Sequence, residues 1–263
     1  MATNLRRESV SFRYAAAVAA AVQISDLQVR YGPEIALDQV ELSIPAGRTV
    51  AVIGPNGSGK SSLLRAIAGL ARPSRGSAVV DGEIALVLQA TDVDRSVPIT
   101  VREAVTMARY PSLGLLRRLG TTDRSAIDRA MERLSIRHLA RRQLHHLSGG
   151  QRQRVLVAQG LAQEADVLLL DEPVTGLDVV SRQSILDVVD EERDAGRTVL
   201  MTTHQLGDAR RCNLVVLLAT RPVAIGPPDE VLQERHLAQA FGGSFLRFGS
   251  ELLLDDPHHD HGH

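Results

Sequence analysis

The chain has a single cysteine, Cys212, so no internal disulfide can form and the fold must rest on burial and hydrogen bonding. That suits a reducing compartment without requiring one, and Cys212 reads as a small buried residue beside a strand. Neither sign of charge dominates. Thirty Lys and Arg stand against 31 Asp and Glu, a net charge of −1, which excludes a global field that would gather nucleic acid or anionic lipid. No apolar run approaches the ~20 residues that cross a bilayer as a helix, so any membrane path must come from another chain. What remains is the composition of a globular protein, 44% hydrophobic and 23% charged over 263 residues, enough for one sizeable core with a subdomain.

At the start, Arg6-Arg7 ahead of the apolar stretch 15–22 has the outline of a charged n-region and a short h-region. The expectation is instead a disordered extension over 1–21, with globular patterning beginning near Val22. From there short apolar runs alternate with helical patterns, which implies an α/β core around a mostly parallel sheet. The β-branched run 48–53 leads into Gly54-Pro55-Asn56-Gly57-Ser58-Gly59-Lys60-Ser61. Leu63, Leu64, Ile67 and Leu70 follow at helical spacing, and Gly69 and Pro73 end the pattern. Strand, glycine loop and helix are the context that the G-x-x-x-x-G-K-[ST] pattern requires. In such a loop glycines turn backbone N–H groups inward around phosphates, at the positive end of the next helix. Lys60 would meet the β and γ phosphates, the Ser61 hydroxyl would hold Mg²⁺, and Ser62 would add a phosphate contact.

The apolar run 167–170 reads as a strand buried on both faces and delivers Asp171 and Glu172 to its carboxyl end, where ligands bind in parallel sheets. Neighbours on a strand point to opposite sides, so the two carboxylates can hold different tasks. Between loop and acidic pair stands Leu147-Ser148-Gly149-Gly150-Gln151, opening a helix that carries Val155, Leu156, Ala158, Leu161 and Ala162. Its glycines leave bare N–H groups at a helix start, a second anion site.

With these motifs in this order, the chain resembles the ATP-binding subunits of ABC transporters from Val22 to about Leu254. The resemblance implies an α/β fold: a P-loop ABC ATPase with a RecA-like parallel-sheet core, a small antiparallel β subdomain near its start, and a helical subdomain inserted at about 90–154. Helical patterning over 125–134, with Ala126, Ile127, Ala130, Met131 and Leu134 on one face, agrees with the insertion. It also implies that Asp171 positions Mg²⁺, directly or through water, and that Glu172 polarises the attacking water as general base. His204, after the β-rich run 198–203, takes the place of the switch histidine that contacts the γ-phosphate. Gln89 matches the glutamine that senses Mg²⁺ and opens the loop facing the membrane subunit. Tyr31 matches the aromatic that stacks on adenine, and Asp178, in Gly176-Leu177-Asp178, extends the second nucleotide motif. One γ-phosphate cannot be wrapped by both the Gly54 loop and Ser148 to Gln151 of a compact monomer. The family resolves this with a head-to-tail homodimer in which each ATP lies between two copies.

The stretch 97–103, with Arg109-Tyr110 and 114–118 after it, resembles the corresponding segment of zinc and manganese importer ATPases; siderophore and haem importers carry related stretches. The resemblance therefore implies a peripheral subunit on the cytoplasmic face of the membrane. It would couple ATP hydrolysis to divalent metal uptake through a polytopic permease, with an extracytoplasmic metal-binding protein in the same system. The tail 255–263 holds His258, His259, His261 and His263 beside Asp260, ligands suited to a weak, flexible Zn²⁺ or Mn²⁺ site, or else simply a solvated polar terminus. Two other classes compete. A soluble ABC ATPase of DNA repair or translation would carry coiled-coil or zinc insertions or a second cassette, none of which the sequence contains. A P-loop kinase or GTPase would leave the LSGGQ stretch and His204 without a purpose.

Overall fold

The computed structural model describes residues 19–89, 98–113, 118–242, 245–248 and 251–254. The central sheet is built from β3 (Thr49–Ile53), β5 (Ile84–Val87), β6 (Val167–Leu170), β7 (Thr198–Thr202), β8 (Leu214–Ala219) and β9 (Arg221–Gly226). Its strand order is β5-β6-β7-β3-β8-β9, parallel throughout except for β9, which returns antiparallel along β8. Every residue of β3, β6 and β7 is buried, as a parallel strand covered on both faces requires. The two-residue period of the strands divides those side chains between two cores. Ala51, Ile53, Leu168, Leu170, Val199 and Met201 face one cluster with the helices of the larger layer. Val50, Val52, Val167, Leu169 and Leu200 face the other.

That second face is covered by α1 (Lys60–Ile67) and a three-stranded antiparallel sheet in the order β2-β1-β4, formed by β1 (Ala20–Tyr31), β2 (Glu34–Pro45) and β4 (Arg75–Val80). β1 begins at Ala20, two residues ahead of the expected start, with Val22 and Ile24 already buried. Helix α1 stops at Ile67 rather than at Leu70, because Gly69 turns the backbone into the left-handed region at φ 72°.

The first face carries α2 (Val101–Met107), α3 (Tyr110–Leu113), α4 (Thr121–Arg133), α5 (Gly149–Leu161), α6 (Val179–Asp194), α7 (Leu206–Arg211), α8 (Pro228–Val231) and α9 (Glu234–Phe241); β10 (Phe245–Phe248) and β11 (Glu251–Leu254) form a separate hairpin. Ala126, Ile127, Ala130, Met131 and Leu134 are all buried, as their spacing predicts. Helix α5 runs without a break through the boundary expected at Arg154. Its later Val155, Val157 and Ala158 share one buried cluster with Ile127, Met131 and Leu134 of the expected insertion. Among the described residues, no helix is long and apolar enough to cross a membrane.

Candidate functional site

The loop between β3 and α1 is shaped by what surrounds it. Gly59 caps α1 at φ 96°, and a Cβ there would lie 2.4 Å from the carbonyl oxygen of Ala36. A side chain is excluded twice over, by backbone angle and by space. Lys60 opens the helix and folds back, its Nζ donating to the carbonyls of Gly54 (2.9 Å) and Pro55 (3.0 Å). The ammonium is thus held against the loop it serves, and Lys60 is 6% exposed. Ser58 Oγ is buried without a hydrogen-bond partner, an acceptor and donor turned into a polar loop. The first N–H groups of α1 and its macrodipole add positive potential at the same place.

Beside this loop opens a cleft of about 290 Å³, lined by Tyr31, Glu34, Ala36, Glu172 and the run from Asn56 and Gly57 through Ser58, Gly59, Lys60 and Ser61 to Ser62. Tyr31 is 48% exposed there, leaving an aromatic face accessible to a planar base.

The strand period turns Asp171 toward α1, since it continues the series of Val167 and Leu169 on that face. Its Oδ1 accepts from Ser61 Oγ at 3.0 Å and from Thr202 Oγ1 at 2.9 Å. A serine hydroxyl and a carboxylate so placed are hard oxygen donors of the kind Mg²⁺ takes. Glu172 does not continue the strand. Its backbone sits at φ 48°, in the left-handed region that non-glycine residues rarely occupy, and its N–H donates to Thr202 Oγ1 at 2.7 Å. The alternation expected of two strand neighbours therefore ends at Asp171; a backbone turn is what sends the second carboxylate into the cleft. There Glu172 Oε1 lies 2.6 Å from His204 Nε2. This bond holds the Glu172 carboxyl below the usual carboxylate value, outweighing burial, which pushes it up; the charges of His204 and Lys60 act in the same downward direction. An ionised carboxylate has no hydrogen to give, so His204 Nε2 carries the N–H and donates it.

Residues 148–151 occupy a different place. Ser148 caps α5, its Oγ accepting from Gln151 N at 3.2 Å while Gln151 Oε1 accepts from Ser148 N at 3.2 Å, a reciprocal capping box. Gly149 has open space around it. Gly150 is pressed against α6, where a Cβ would come within 2.9 Å of Asp178 Oδ2 and 2.8 Å of Ser181 Oγ. Asp178 is the N-cap of α6, accepting from Ser181 N at 2.9 Å, which holds its carboxyl below the usual value.

Of the residues singled out in the sequence, the fold thus gathers Tyr31, Asn56, Gly57, Ser58, Gly59, Lys60, Ser61, Ser62 and Glu172 along the cleft, with Gly54, Pro55, Asp171 and His204 one hydrogen bond behind them. Gln89, Asp178, Ser148, Gly149, Gly150 and Gln151 do not line it; Gln89 lies exposed just after β5. His258, His259, His261 and His263 fall outside the described residues, as do 1–18, 90–97 and 114–117, and with them Val97 and 114–117 of the stretch that resembles metal importers. Among the described residues, no group of three or more metal-ligating side chains forms. The sequence reading missed Thr202, Glu34 and Ala36. A threonine closing β7 after the apolar residues Val199, Leu200 and Met201 was the signal available for Thr202; Glu34 and Ala36 gave none, because only the tertiary packing of β2 brings them to the loop.

The profile of the family described as ABC transporter matches residues 37–175. The chain is 34% identical over 238 residues to the manganese transport system ATP-binding protein MntB of Listeria innocua, across 87% of this chain and 99% of that one. It is 37% identical over 236 residues to the zinc transport system ATP-binding protein TroB of Treponema pallidum, across 86% and 89%. Among solved structures, the dimeric post-hydrolysis state of an ATP-binding cassette bound to ADP and Pi aligns with a TM-score of 0.69 at 25% identity, over 79% of this chain and 98% of that one. This chain belongs to the ABC transporter family.

Proposed function

We propose that this protein is the ATP-hydrolysing subunit of an importer for a divalent metal ion, zinc or manganese, acting at the cytoplasmic face of the membrane. It would work with a separate polytopic permease and an extracytoplasmic metal-binding protein. The observation that carries this reading is the convergence of Lys60, Ser61, Asp171, Glu172 and His204 at one cleft. It does so in a chain whose similarity to manganese and zinc transport ATP-binding proteins runs over most of its length.

In that cleft the loop N–H groups and Lys60 would hold the phosphates of ATP and Tyr31 would stack on its base. Ser61 and Asp171 would hold Mg²⁺, which supplies charge neutralisation at the phosphates. Glu172 would orient a water and accept its proton, with His204 fixing the carboxylate in place. Residues 148–151 lie away from the cleft, which supports a two-fold homodimer in which each copy completes the other's site, as does the dimeric state of the similar cassette. Leu88, beside Gln89 in sequence, and Met107 and Tyr110, in α2 and α3, stay 43%, 49% and 55% exposed, side chains that a permease could cover.

The test is reconstitution. The chain is expected to co-purify with its permease, and vesicles containing both, supplied with ATP and the binding protein, should take up Zn²⁺ or Mn²⁺. ATP-dependent uptake of an iron chelate or haem in place of the free ions would overturn the metal assignment. Failure to associate with any polytopic membrane protein would overturn transport.

A further inference from the structure

We propose that Thr202 is the positioning residue of the hydrolytic centre: one buried hydroxyl fixes both the carboxylate of Asp171 and the backbone from which Glu172 projects. The inference rests on the roles given above to those two residues. Thr202 ends β7, whose inner residues Val199, Leu200 and Met201 are apolar, and it is itself 0% exposed. A hydroxyl in such a strand must find partners inside the protein. Both of its bonding capacities go to the acidic pair. Its hydrogen is donated to Asp171 Oδ1 at 2.9 Å, and its oxygen accepts the Glu172 N–H at 2.7 Å.

The second bond bears on conformation. Glu172 stands at φ 48°, a region a glutamate leaves unless something holds it. Capture of its N–H by a side chain on the adjacent strand is such a hold, and it is that backbone turn that sends the Glu172 side chain to His204 and the cleft. The first bond bears on the metal side, because the Asp171 oxygen that Thr202 meets is also the one that Ser61 meets. A single hydroxyl therefore sets the relation between the carboxylate facing α1 and the carboxylate facing the water.

Thr202→Val keeps the shape of the side chain and removes both bonds. Turnover should fall roughly 10- to 100-fold, the worth of a hydrogen bond to a charged group, with KM for ATP within about threefold of wild type. The Mg²⁺ concentration giving half-maximal rate should rise about 3- to 10-fold, whereas ADP affinity measured in EDTA should not change beyond about twofold. Thr202→Ser, which restores the hydroxyl, should recover turnover to within about threefold. A merely structural threonine would lower the melting point without moving the Mg²⁺ requirement or separating kcat from KM. If Thr202→Val fails to fold, Thr202→Cys preserves the volume with a weaker donor, and wild-type turnover from it would overturn the proposal. Wild-type turnover and Mg²⁺ dependence from Thr202→Val, in a protein where Glu172→Gln is inactive, would overturn it as well. Full hydrolysis by Glu172→Gln would instead strike the reading of the acidic pair on which it rests.

Discussion

Glu172→Gln separates chemistry from architecture at this site. The carboxylate accepts the His204 Nε2 hydrogen at 2.6 Å, and a glutamine Oε1 can accept the same bond from the same position. What is lost structurally is the difference between a charge-assisted and a neutral hydrogen bond, about 1 kcal/mol, reduced further because the Glu172 side chain remains 18% exposed. In a chain of this size that amounts to a fall of less than about 2–4 °C in Tm. The chemical loss is of another order. A neutral amide cannot take the proton of the attacking water, and removing a general base lowers turnover by roughly 10² or more, at least ~2.7 kcal/mol on the barrier. Nucleotide binding should persist, because Lys60, Ser61 and the loop N–H groups are untouched, and the ATP-bound dimer should accumulate. Lys60→Ala is the counterpart. It removes the ammonium held between the Gly54 and Pro55 carbonyls and should weaken nucleotide binding itself. The assay pairs steady-state phosphate release with equilibrium binding of nucleotide and a thermal melt on each variant. Hydrolysis by Glu172→Gln within about threefold of wild type, with binding and Tm preserved, would refute the assignment of Glu172 as base.

Mixing Ser148→Arg with Lys60→Ala in the presence of the permease should leave at most one intact composite site per heterodimer, read as partial recovery of ATPase; full activity from an isolated monomer would refute the shared site. Acid should dissolve the Glu172–His204 contact. Because His204 lowers the carboxyl below its ordinary 4.5, the contact's stability is present above that value and lost as pH falls through the lower folded one. The Tm gap between wild type and Glu172→Gln should therefore close as the pH falls below the ordinary 4.5, and a gap that widens on acidification would reverse the sign of the argument. A chain ending at Asp256 should lose weak Zn²⁺ or Mn²⁺ binding measured by calorimetry while keeping its basal ATPase; equal metal binding by both chains would remove the tail from consideration as a metal site.

What was legible in the sequence was whatever a local pattern encodes. The run 167–170 is a strand with those bounds because four consecutive apolar residues between polar flanks can be buried only from both sides. The phosphate loop was legible because its glycines are demanded by backbone angle and by contacts over a few residues. The helix opened by Ser148 was legible from the apolar residues Val155, Leu156, Ala158, Leu161 and Ala162 that follow its glycines; the Ser148–Gln151 capping box is what the structure adds. The conformation of Glu172 was not. Strand alternation predicts its direction from its neighbours, whereas its φ of 48° accompanies a hydrogen bond to Thr202, thirty positions along the chain. The continuity of α5 was hidden for a related reason. A boundary inferred from where motifs change falls at Arg154, but a helix that begins with an exposed cap and ends against β5 and β6 has no cause to stop between them.

Helix α6 connects these groups. Its N-cap, Asp178, sits against Gly150 and so against the start of α5. One turn on, Arg182 pairs with Asp208 of α7, which is 1% exposed and also accepts from Thr203 Oγ1 at 3.2 Å, next to His204. At its far end Glu191 and Glu192 receive Arg133 of α4, with Glu192 only 2% exposed and also paired to Arg197 ahead of β7. Asp208 and Glu192 are the desolvated members of these pairs, whereas Arg182 and Arg133 stay 34% and 27% exposed and Glu192 keeps Arg197 if Arg133 leaves, so breaking either pair costs less than stranding a fully buried charge. Helices α4, α5 and α7 therefore each meet α6. A displacement of the helical subdomain must either carry α6, and with it Asp178 and the Gly150 contact, or break the Arg133 pairs.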